Sequence, residues 1–365
     1  MTASGGLTIR SIRSTAVEVP MRHVLGTSQG AVRAAPLLLV DLETEEGITG
    51  HAYLFCYVRA AAVGIAAILG EVAEQTRGAQ VAPQDLWGKL AKRFTLIGVQ
   101  GQVRMALSGF DIACWDAMAL AANQPLASLL GGSPRRVRAY NSNGLGLMPL
   151  DKLTREAGEL LEGGFTAIKL RLGYPTLEED IAAVRAVRER AGEAVHMMVD
   201  YNQALSVAEA LRRGHALDEE GVYWLEEPIR HDDYRGYARL AAELATPIQI
   251  GENFSQHFAM QQALDAGACD YVMPDLERIG GVTGWQRAAA LAAAHGMEMS
   301  SHLFPEVSAH LMAVTPTAHW LEYVDWAAPI LEEPIAIEDG FAVIPTRPGN
   351  GLSWSAAAVE RFRMR

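Results

Sequence analysis

The feature that most constrains the fold is a regular alternation of short apolar strands and amphipathic helices, which begins near Arg136 and continues to about Leu331. Helices such as Leu177–Ala191 and Val282–His295 are expected between the strands. This alternation is typical of a parallel sheet, and eight strands are the number that closes a (β/α)8 barrel. No glycine-rich dinucleotide fingerprint follows these strands, which disfavours an open doubly wound sheet. The predicted strands are Val137–Ser142, Ala167–Leu172, His196–Asn202, Val222–Pro228, Ile248–Asn253, Tyr271–Leu276, Met297–Leu303 and Trp320–Asp325.

The segments that flank the alternation have a different pattern. Residues 1–132 predict an α+β capping domain, with antiparallel strands at Leu7–Pro20 and Ala35–Tyr57 and helices at Ala60–Thr76 and Val103–Leu130. Residues 133–331 form the predicted catalytic barrel. Residues 332–365 return to short strands, and we expect this segment to pack back on the capping domain. The predicted fold class is therefore α/β, a TIM-like barrel with an N-terminal cap that the C-terminal tail completes.

Composition narrows the classes of protein to consider. The 365-residue chain is 50% hydrophobic with a net charge of −12, which argues against a nucleic-acid-binding surface. Three cysteines, far apart and in apolar contexts, predict free thiols in a reducing compartment. The N-terminus has no apolar signal core and no apolar run is long enough for a bilayer, so we expect a cytoplasmic protein without a membrane partner.

Three predicted strands in succession end in a carboxylate: Asp200, Glu226 and Glu252, at a constant interval of 26 residues. In a barrel the carboxyl ends of all strands meet at one rim, where active sites lie. Carboxylates gathered there repel one another unless a hard cation holds them. An all-oxygen ligand set without Cys or His suits Mg²⁺, so the sequence predicts a magnesium site.

The next strand ends carry groups for acid–base chemistry. Asp275 could hold the imidazole of His302 in one tautomer and raise its pKa, as the acid does in hydrolytic triads. A metal and a base together could remove the α-proton of a carboxylate and neutralise the enediolate that results. Glu322 could donate a hydrogen bond, if protonated, to the carboxylate oxygen not held by the metal, and its neighbours at the acidic rim would favour the protonated form.

The stretch "TAIKLRLGYP" places Lys169 and Arg171 on the same face of a strand inside an apolar run. Burying two cations side by side is unfavourable unless anions face them. The acidic rim and a substrate carboxylate are the expected anions.

Together these segments closely resemble the enolase superfamily, mandelate racemase subgroup, over nearly the whole chain. The motifs that carry the resemblance are "KLRLGYP" (169–175), "MVDYNQ" (198–203), "WLEEP" (224–228), "GEN" (251–253), "MPD" and "IGGVTGW" (273–285), "MSSHLF" (299–304) and "VTPTAHWLE" (314–322).

The resemblance implies a role for each matching residue. Asp200, Glu226 and Glu252 would bind Mg²⁺, Lys169 would neutralise the substrate carboxylate, and Asn202 would help to position it. His302 with Asp275 would be the base for the R-configured substrate, and Glu322 the electrophilic acid. Ser142, Phe55 and Tyr57 would contact the substrate, beneath a specificity loop at Met21–Ala35. Members of the family commonly form homo-oligomers, so a homo-oligomer is expected here.

Two features depart from the family pattern. The family has Lys-x-Lys, with the second lysine as a base for the S face, whereas this chain has Arg171 there. Arginine stays protonated in proteins and is a poor base. The predicted lid is also polar, with Arg22, His23, Ser28, Gln29 and Arg33, which would suit a hydroxyl- or carboxylate-bearing acid.

These features leave several functions open. The overall resemblance favours a racemase or epimerase of a 2-hydroxy acid. Arg171 instead favours an acid-sugar dehydratase, because elimination of water needs one base where racemisation needs two. A Schiff-base aldolase with Lys169 as nucleophile and a barrel that only binds its ligand are further alternatives.

Overall fold

The N-terminal part is a three-stranded antiparallel sheet covered by helices. The computed structural model describes residues 6–28 and 30–365. Strand β1 (Ile9–Thr27) pairs with β2 (Gly30–Thr44), and β2 pairs with β3 (Thr49–Phe55). Four helices follow, namely α1 (Arg59–Thr76), α2 (Pro83–Arg93), α3 (Gly101–Ala121) and α4 (Leu126–Leu129).

Two expectations for this part were wrong. The segment Met21–Ala35, expected as a loop, is the end of the β1–β2 hairpin: Leu25 pairs with Val32 and Thr27 with Gly30. The pairing is irregular between Pro20 and Leu25, where the strand resumes after a register shift. The single helix expected at Val103–Leu130 is two helices, because Asn123 has φ of 52° and Pro125 precedes α4. Helix α2 was not predicted.

The following segment closes into a barrel of eight parallel strands, which confirms the predicted fold class. Strands β4 to β10 pair in chain order, β10 meets the segment before β11 in a bridge between Met299 and Ala318, and β11 pairs with β4 through Leu321 and Ala139. The strands are β4 (Arg136–Asn141), β5 (Ala167–Arg171), β6 (His196–Asp200), β7 (Leu225–Glu226), β8 (Ile248–Ile250), β9 (Tyr271–Val272), β10 (Glu298–Met299) and β11 (Leu321–Tyr323). Each lies within or within one residue of its predicted range, and most are shorter.

Helices pack around the outside of the barrel. They are α5 (Leu150–Leu160), α6 (Leu177–Ala191), α7 (Val207–Leu217), α8 (Tyr234–Glu243), α9 (Gln256–Asp265), α10 (Leu276–Ile279), α11 (Gly281–Ala294) and α12 (Pro305–Met312). Helix α6 has the predicted bounds because its start is encoded locally: Thr176 and Glu179 form a reciprocal capping box. The helix expected at Val282–His295 begins and ends one residue earlier.

Large side chains fill the interior of the barrel below the rim. Tyr140, Trp224 and Trp320 are fully buried there in one cluster with Met198. The guanidinium carbon of Arg138 lies 3.6 Å from the centroid of a Trp320 ring. This packed layer closes the barrel from below, so polar groups at the strand ends face a cavity on one side only.

The C-terminal segment contacts both parts of the molecule. Strands β12 (Ala336–Glu338) and β13 (Phe341–Val343) form a hairpin that pairs with barrel strand β4, which differs from the expected packing on the cap. The rest of the segment does reach the cap: Trp354 Nε1 donates to Asp41 at 2.8 Å, and α13 (Ala356–Phe362) contacts β1.

The three cysteines, Cys56, Cys114 and Cys269, are buried free thiols, as expected. In the parts of the chain that the structure describes, every helix is too short or too polar to cross a bilayer.

Candidate active site

The predicted carboxylates gather at the carboxyl end of the barrel. Asp200 and Glu226 are the last residues of β6 and β7, and Glu252 lies two residues beyond β8. A cavity of about 300 Å³ opens between this rim and the β1–β2 hairpin. Its polar lining includes Lys169, Arg171, Asp200, Asn202, Glu252, His302 and Glu322. Glu226, Asp275 and Ser142 lie behind this lining, where they are buried.

Lys169 lies among three of the acids. Its Nζ is 2.6 Å from Glu226 Oε1, 2.8 Å from Glu322 Oε1 and 3.6 Å from Asp200 Oδ2. Burial alone would lower the pKa of this lysine, but the three carboxylates raise it. A lysine with a raised pKa keeps its proton, which argues against a Schiff-base nucleophile.

One ammonium group does not neutralise this many acids. Burial and the repulsion of neighbouring carboxylates raise the pKa of Asp200, and they raise that of Glu226 to about 8 despite Lys169. Asn202 orients Asp200 by donating to it through its backbone and its amide, at 2.7 and 2.9 Å. Crowded, buried oxygen ligands of this kind fit a hard divalent cation.

The acids are engaged by cationic side chains in this structure. Lys169 contacts Asp200 and Glu226, and His302 Nε2 lies 3.2 Å from Glu252 Oε2. Across residues 6–28 and 30–365, no three His, Cys, Asp or Glu side chains form a ready-made ligand cluster. The assignment of Asp200, Glu226 and Glu252 as metal ligands therefore stays a prediction.

His302 and Asp275 are in contact. Asp275 is the N-terminal cap of α10, accepting from the backbone N–H groups of Glu277 and Arg278 through Oδ1. Its Oδ2 lies 2.7 Å from His302 Nδ1. Burial alone would lower the pKa of His302, but Glu252, Glu322 and the hydrogen bond to Asp275 raise it well above its usual value. With Nδ1 held by Asp275, Nε2 is the atom that faces the cavity and can exchange a proton.

Glu322 is expected as a protonated hydrogen-bond donor, whereas the cations around it in this structure favour its ionised form. Burial alone would raise the pKa of Glu322, but Lys169 and His302 lower this pKa to about 2. The backbone N–H of Leu303 also donates to Glu322 Oε2 at 2.8 Å. Cations from two other strand ends reach Glu322 and lower its pKa, which favours its carboxylate form in this arrangement.

Arg171 is fixed by the loop after β4. Its Nη1 donates to the carbonyl oxygens of Ser142 and Gly144 at 2.7 and 2.8 Å, and its Nη2 donates to Ser142 Oγ at 2.9 Å. Ser142, expected to contact substrate, instead holds this guanidinium, and its side chain also lowers the pKa of Glu322. The position that the family pattern assigns to a second base thus presents a fixed cation.

The wall that faces the barrel rim is mostly apolar, contrary to the polar lid that the sequence suggested. Leu25, Thr27 and Val32 of the hairpin line the cavity, with Phe55, Tyr57, Leu303 and Trp326. The Phe55 ring contacts Tyr57 and Trp326 at centroid distances of 4.4 and 5.0 Å.

The polar hairpin residues lie elsewhere. Arg22 and Arg33 line a separate cavity against α5, and His23 Nδ1 contacts Glu156 at 3.2 Å. Ser28 is exposed, and Gln29 lies outside the described residues.

Comparison with known proteins places this site in a family. Residues 9–131 match the mandelate racemase / muconate lactonizing enzyme N-terminal domain, and residues 152–358 match the enolase C-terminal domain-like model. The chain belongs to the mandelate racemase / muconate lactonizing enzyme family. It is accordingly an enzyme of the enolase superfamily, and its relatives include dehydratases and cycloisomerases by name.

Relatives of known structure or activity cover almost the whole chain. An L-talarate/galactarate dehydratase from Salmonella typhimurium is 34% identical over 94% of this chain and 86% of its own length. An enolase from alpha proteobacterium bal199, solved with bound magnesium, is 45% identical with a TM-score of 0.96, over 98% of this chain and 100% of the other. An enolase from Bradyrhizobium was solved in complex with magnesium and mandelic acid. It is 38% identical with a TM-score of 0.95, and the match covers 99% of this chain and 100% of that chain.

Sequence reasoning missed several residues of this family site. Gln203, Asn253 and Arg278 line the cavity. Arg278 Nη1 donates to Asn253 Oδ1, and its guanidinium carbon lies 4.9 Å from the centroid of the Tyr57 ring. All three lie within or beside the quoted motifs, so position next to a strand-end acid was the signal that could have found them.

The backbone around the site is unusual as well. Tyr57, Asn202, Gln203 and Leu303 all line the cavity and have positive φ, between 46° and 64°. Non-glycine residues adopt this conformation at a cost, and such residues concentrate at functional sites.

Proposed function

We propose that this chain is a Mg²⁺-dependent dehydratase that removes the α-proton and the 3-hydroxyl of a 2,3-dihydroxy carboxylate of the acid-sugar type. The observation that carries the proposal is the contrast between two sides of one cavity. His302, held by Asp275 at 2.7 Å, can exchange the proton on Nε2 once Glu252 binds the cation in place of this imidazole, whereas Arg171, tied to Ser142 and Gly144, stays protonated. One base is enough for elimination, because the same imidazole can take the α-proton and return it to the leaving group.

The metal ligands in this proposal are Asp200, Glu226 and Glu252. Their oxygen chemistry, their burial and the raised pKa of Glu226 support a divalent cation at this rim. Bound Mg²⁺ would act as a Lewis acid that neutralises the charge developing on the substrate carboxylate. The magnesium found in the bal199 and Bradyrhizobium relatives supports the choice of metal.

Residues of the chain itself would bind the substrate and transfer the protons. Lys169 places a positive charge at the rim for the substrate carboxylate, and Asn202 helps to orient it. His302 Nε2 removes the proton from C2, and Asp275 Oδ2 stabilises the imidazolium that forms. His302 then donates this proton to the 3-hydroxyl, the C3–O bond breaks and water leaves. The enol that remains tautomerises to a 2-keto-3-deoxy acid, so the reaction removes one water and needs no oxidant or reductant.

A racemase or epimerase of a 2-hydroxy acid is the second candidate. It is favoured by the apolar wall of Leu25, Val32, Phe55 and Trp326, which suits a hydrocarbon or aromatic substituent. The mandelic acid bound to the Bradyrhizobium relative supports the same reading. It requires a proton donor and acceptor on the face where this chain has Arg171, which is why we place it second.

Incubation of the protein and MgCl₂ with a panel of acid sugars and simple 2-hydroxy acids in deuterated water separates the two candidates. We expect a 2-keto product from at least one polyhydroxy acid, with loss of activity in a chelator and in His302→Asn. Interconversion of the enantiomers of a 2-hydroxy acid, with no 2-keto product from any acid sugar, would overturn the dehydratase in favour of the racemase.

A further inference from the structure

We infer that Arg171 is a substrate-binding and specificity residue, whose free guanidinium edge donates hydrogen bonds to vicinal hydroxyl oxygens of the substrate, the departing 3-hydroxyl among them. This inference rests on the proposed function, since it names the substrate feature that the same site reads.

Arg171 has more hydrogen-bond donors than the protein uses. A guanidinium carries five N–H groups in a fixed plane. Arg171 uses three of them: both hydrogens of Nη1, toward the Ser142 and Gly144 carbonyls, and one of Nη2, toward Ser142 Oγ. Two donors remain, the Nε–H and the second hydrogen of Nη2.

The two remaining donors lie on one edge of the guanidinium. Nε–H and the outer Nη2–H point in parallel, which is the arrangement that binds two neighbouring oxygen atoms at once. The protein itself occupies the other edge. The contacts with Ser142 and Gly144 therefore fix the plane of the group and leave its paired donors for something else.

The free edge is buried and lacks a partner. Arg171 is 4% exposed, and its Nε has no hydrogen-bond partner among the described residues. A buried donor without a partner is destabilising, and native proteins retain few of them. Because Arg171 lines the cavity that holds His302 and Asn202, a substrate oxygen is the acceptor that the site offers.

The position on the strand agrees with this role. Arg171 pairs with Asp200 in the β5–β6 register, and Lys169, two residues earlier on β5, faces the same rim. The side chain of Lys169 is already engaged by carboxylates, and Arg171 lies level with Asp200, one step nearer the carboxyl end of the strand than Lys169. A substrate whose carboxylate lies at the rim would present its next oxygens to Arg171.

A site built around hydroxyl oxygens should reject analogues that lack them, because the analogue leaves buried donors unpaired. A donor at the 3-oxygen would also stabilise the negative charge that develops as the C3–O bond breaks. Arg171 would then account for both the missing second base and the preference for a hydroxylated substrate.

Binding without turnover tests the inference. In Mg²⁺-loaded His302→Asn, calorimetry would compare a 2,3-dihydroxy acid of the panel above with its 3-deoxy analogue of equal length. We expect the dihydroxy acid to bind about 10- to 100-fold more tightly. Adding Arg171→Met should reduce this preference to about threefold or less, with little change for the 3-deoxy acid. Arg171→Lys keeps the charge without the paired edge and should lose most of the preference too.

A matched control and three contrary outcomes complete the design. Arg213→Lys alters another buried arginine, which pairs with Asp180 away from the cavity, and should leave the preference unchanged. The inference is overturned if folded Arg171→Met keeps the full preference, if both ligands weaken equally, or if neither acid binds. If the dihydroxy acid binds through Arg171 and is never dehydrated by the wild type, the proposed function fails while the inference stands.

Discussion

At the scale of single residues, the site depends on which partner fixes each titratable group. Asp275 has two partners: its Oδ1 caps α10, and its Oδ2 holds His302 Nδ1 at 2.7 Å. This division allows the orienting role to be separated from the structural one, because asparagine caps helices about as well as aspartate.

Asp275→Asn should therefore spare the fold and impair catalysis. The amide can keep the cap but no longer stabilises the imidazolium of His302, so we expect α-proton exchange to slow by about 10²- to 10⁴-fold. Proton NMR in deuterated water measures the exchange, and thermal unfolding checks the fold. An exchange rate within a few-fold of the wild type, with the fold intact, would show that Asp275 does not orient the base.

At this scale the sequence predicted which residues meet and not how they are charged. Asp200, Glu226 and His302 were found because each lies at the end of a recognisable strand or within three residues of it. The ionised state of Glu322 was missed because it depends on Lys169, which arrives from a different strand at 2.8 Å. Contacts of this kind are set by barrel closure and leave no local pattern.

At the scale of elements, the β1–β2 hairpin determines what the cavity wall presents. Leu25 pairs with Val32, and both line the cavity at the barrel rim. Arg33, the residue after Val32, is exposed and lines the separate cavity against α5. Neighbouring residues on a strand face opposite sides, and a shift of one residue exchanges the two faces. The polar lid was predicted in error because register cannot be counted across the irregular pairing after Pro20.

Val32→Thr, which changes one methyl to a hydroxyl at nearly constant volume, should weaken binding of acids with apolar substituents. We expect KM to rise by about 5- to 50-fold for such acids, because an unpaired hydroxyl is placed in an apolar wall. Arg33→Ser is the matched control on the other face and should leave KM unchanged. Equal effects of the two changes would mean that the hairpin faces are assigned wrongly.

A second element contact joins the cap to the barrel and should respond to pH. Tyr53 of β3 donates to Glu306 of α12 at 2.7 Å, and burial raises the pKa of Glu306 to about 7. A raised pKa means that the folded protein binds the proton more tightly than the unfolded chain does. The contribution of Glu306 to the free energy of unfolding is therefore fully present below about pH 4.5 and is lost as the pH rises through 7.

Glu306→Gln removes this titration while keeping an acceptor for Tyr53. The free energy of unfolding of the wild type relative to Glu306→Gln should therefore fall between pH 5 and 8, by up to about 3 kcal/mol. Urea unfolding of both proteins at several pH values measures it. A constant difference over this range would mean that burial does not raise the pKa of Glu306.

At the scale of the whole molecule, the sequence predicted the barrel well because its signals are local and repeated. Eight apolar runs fell on eight strands, and the Thr176–Glu179 capping box located the start of α6. The attachment of the C-terminal hairpin to β4 was not predicted, because pairing between Phe341 and Arg138 depends on chain segments about 200 residues apart.

Metal binding should stabilise the whole molecule, since only the folded chain brings the three acids together. Mg²⁺ at 100 times its Kd should add about 2.7 kcal/mol to the free energy of unfolding. Glu252→Gln should remove most of this gain, whereas Glu179→Gln, on the exposed start of α6, should retain it. Equal stabilisation of all three proteins would place the cation elsewhere.

The central claim is that His302 is the only base that acts on the α-carbon. It is tested most directly by incubating each enantiomer of a simple 2-hydroxy acid with the Mg²⁺-loaded enzyme in deuterated water and following the α-proton by NMR. We expect exchange in one enantiomer, the R form by family resemblance, with its configuration retained. Exchange in both enantiomers, with interconversion, would contradict it.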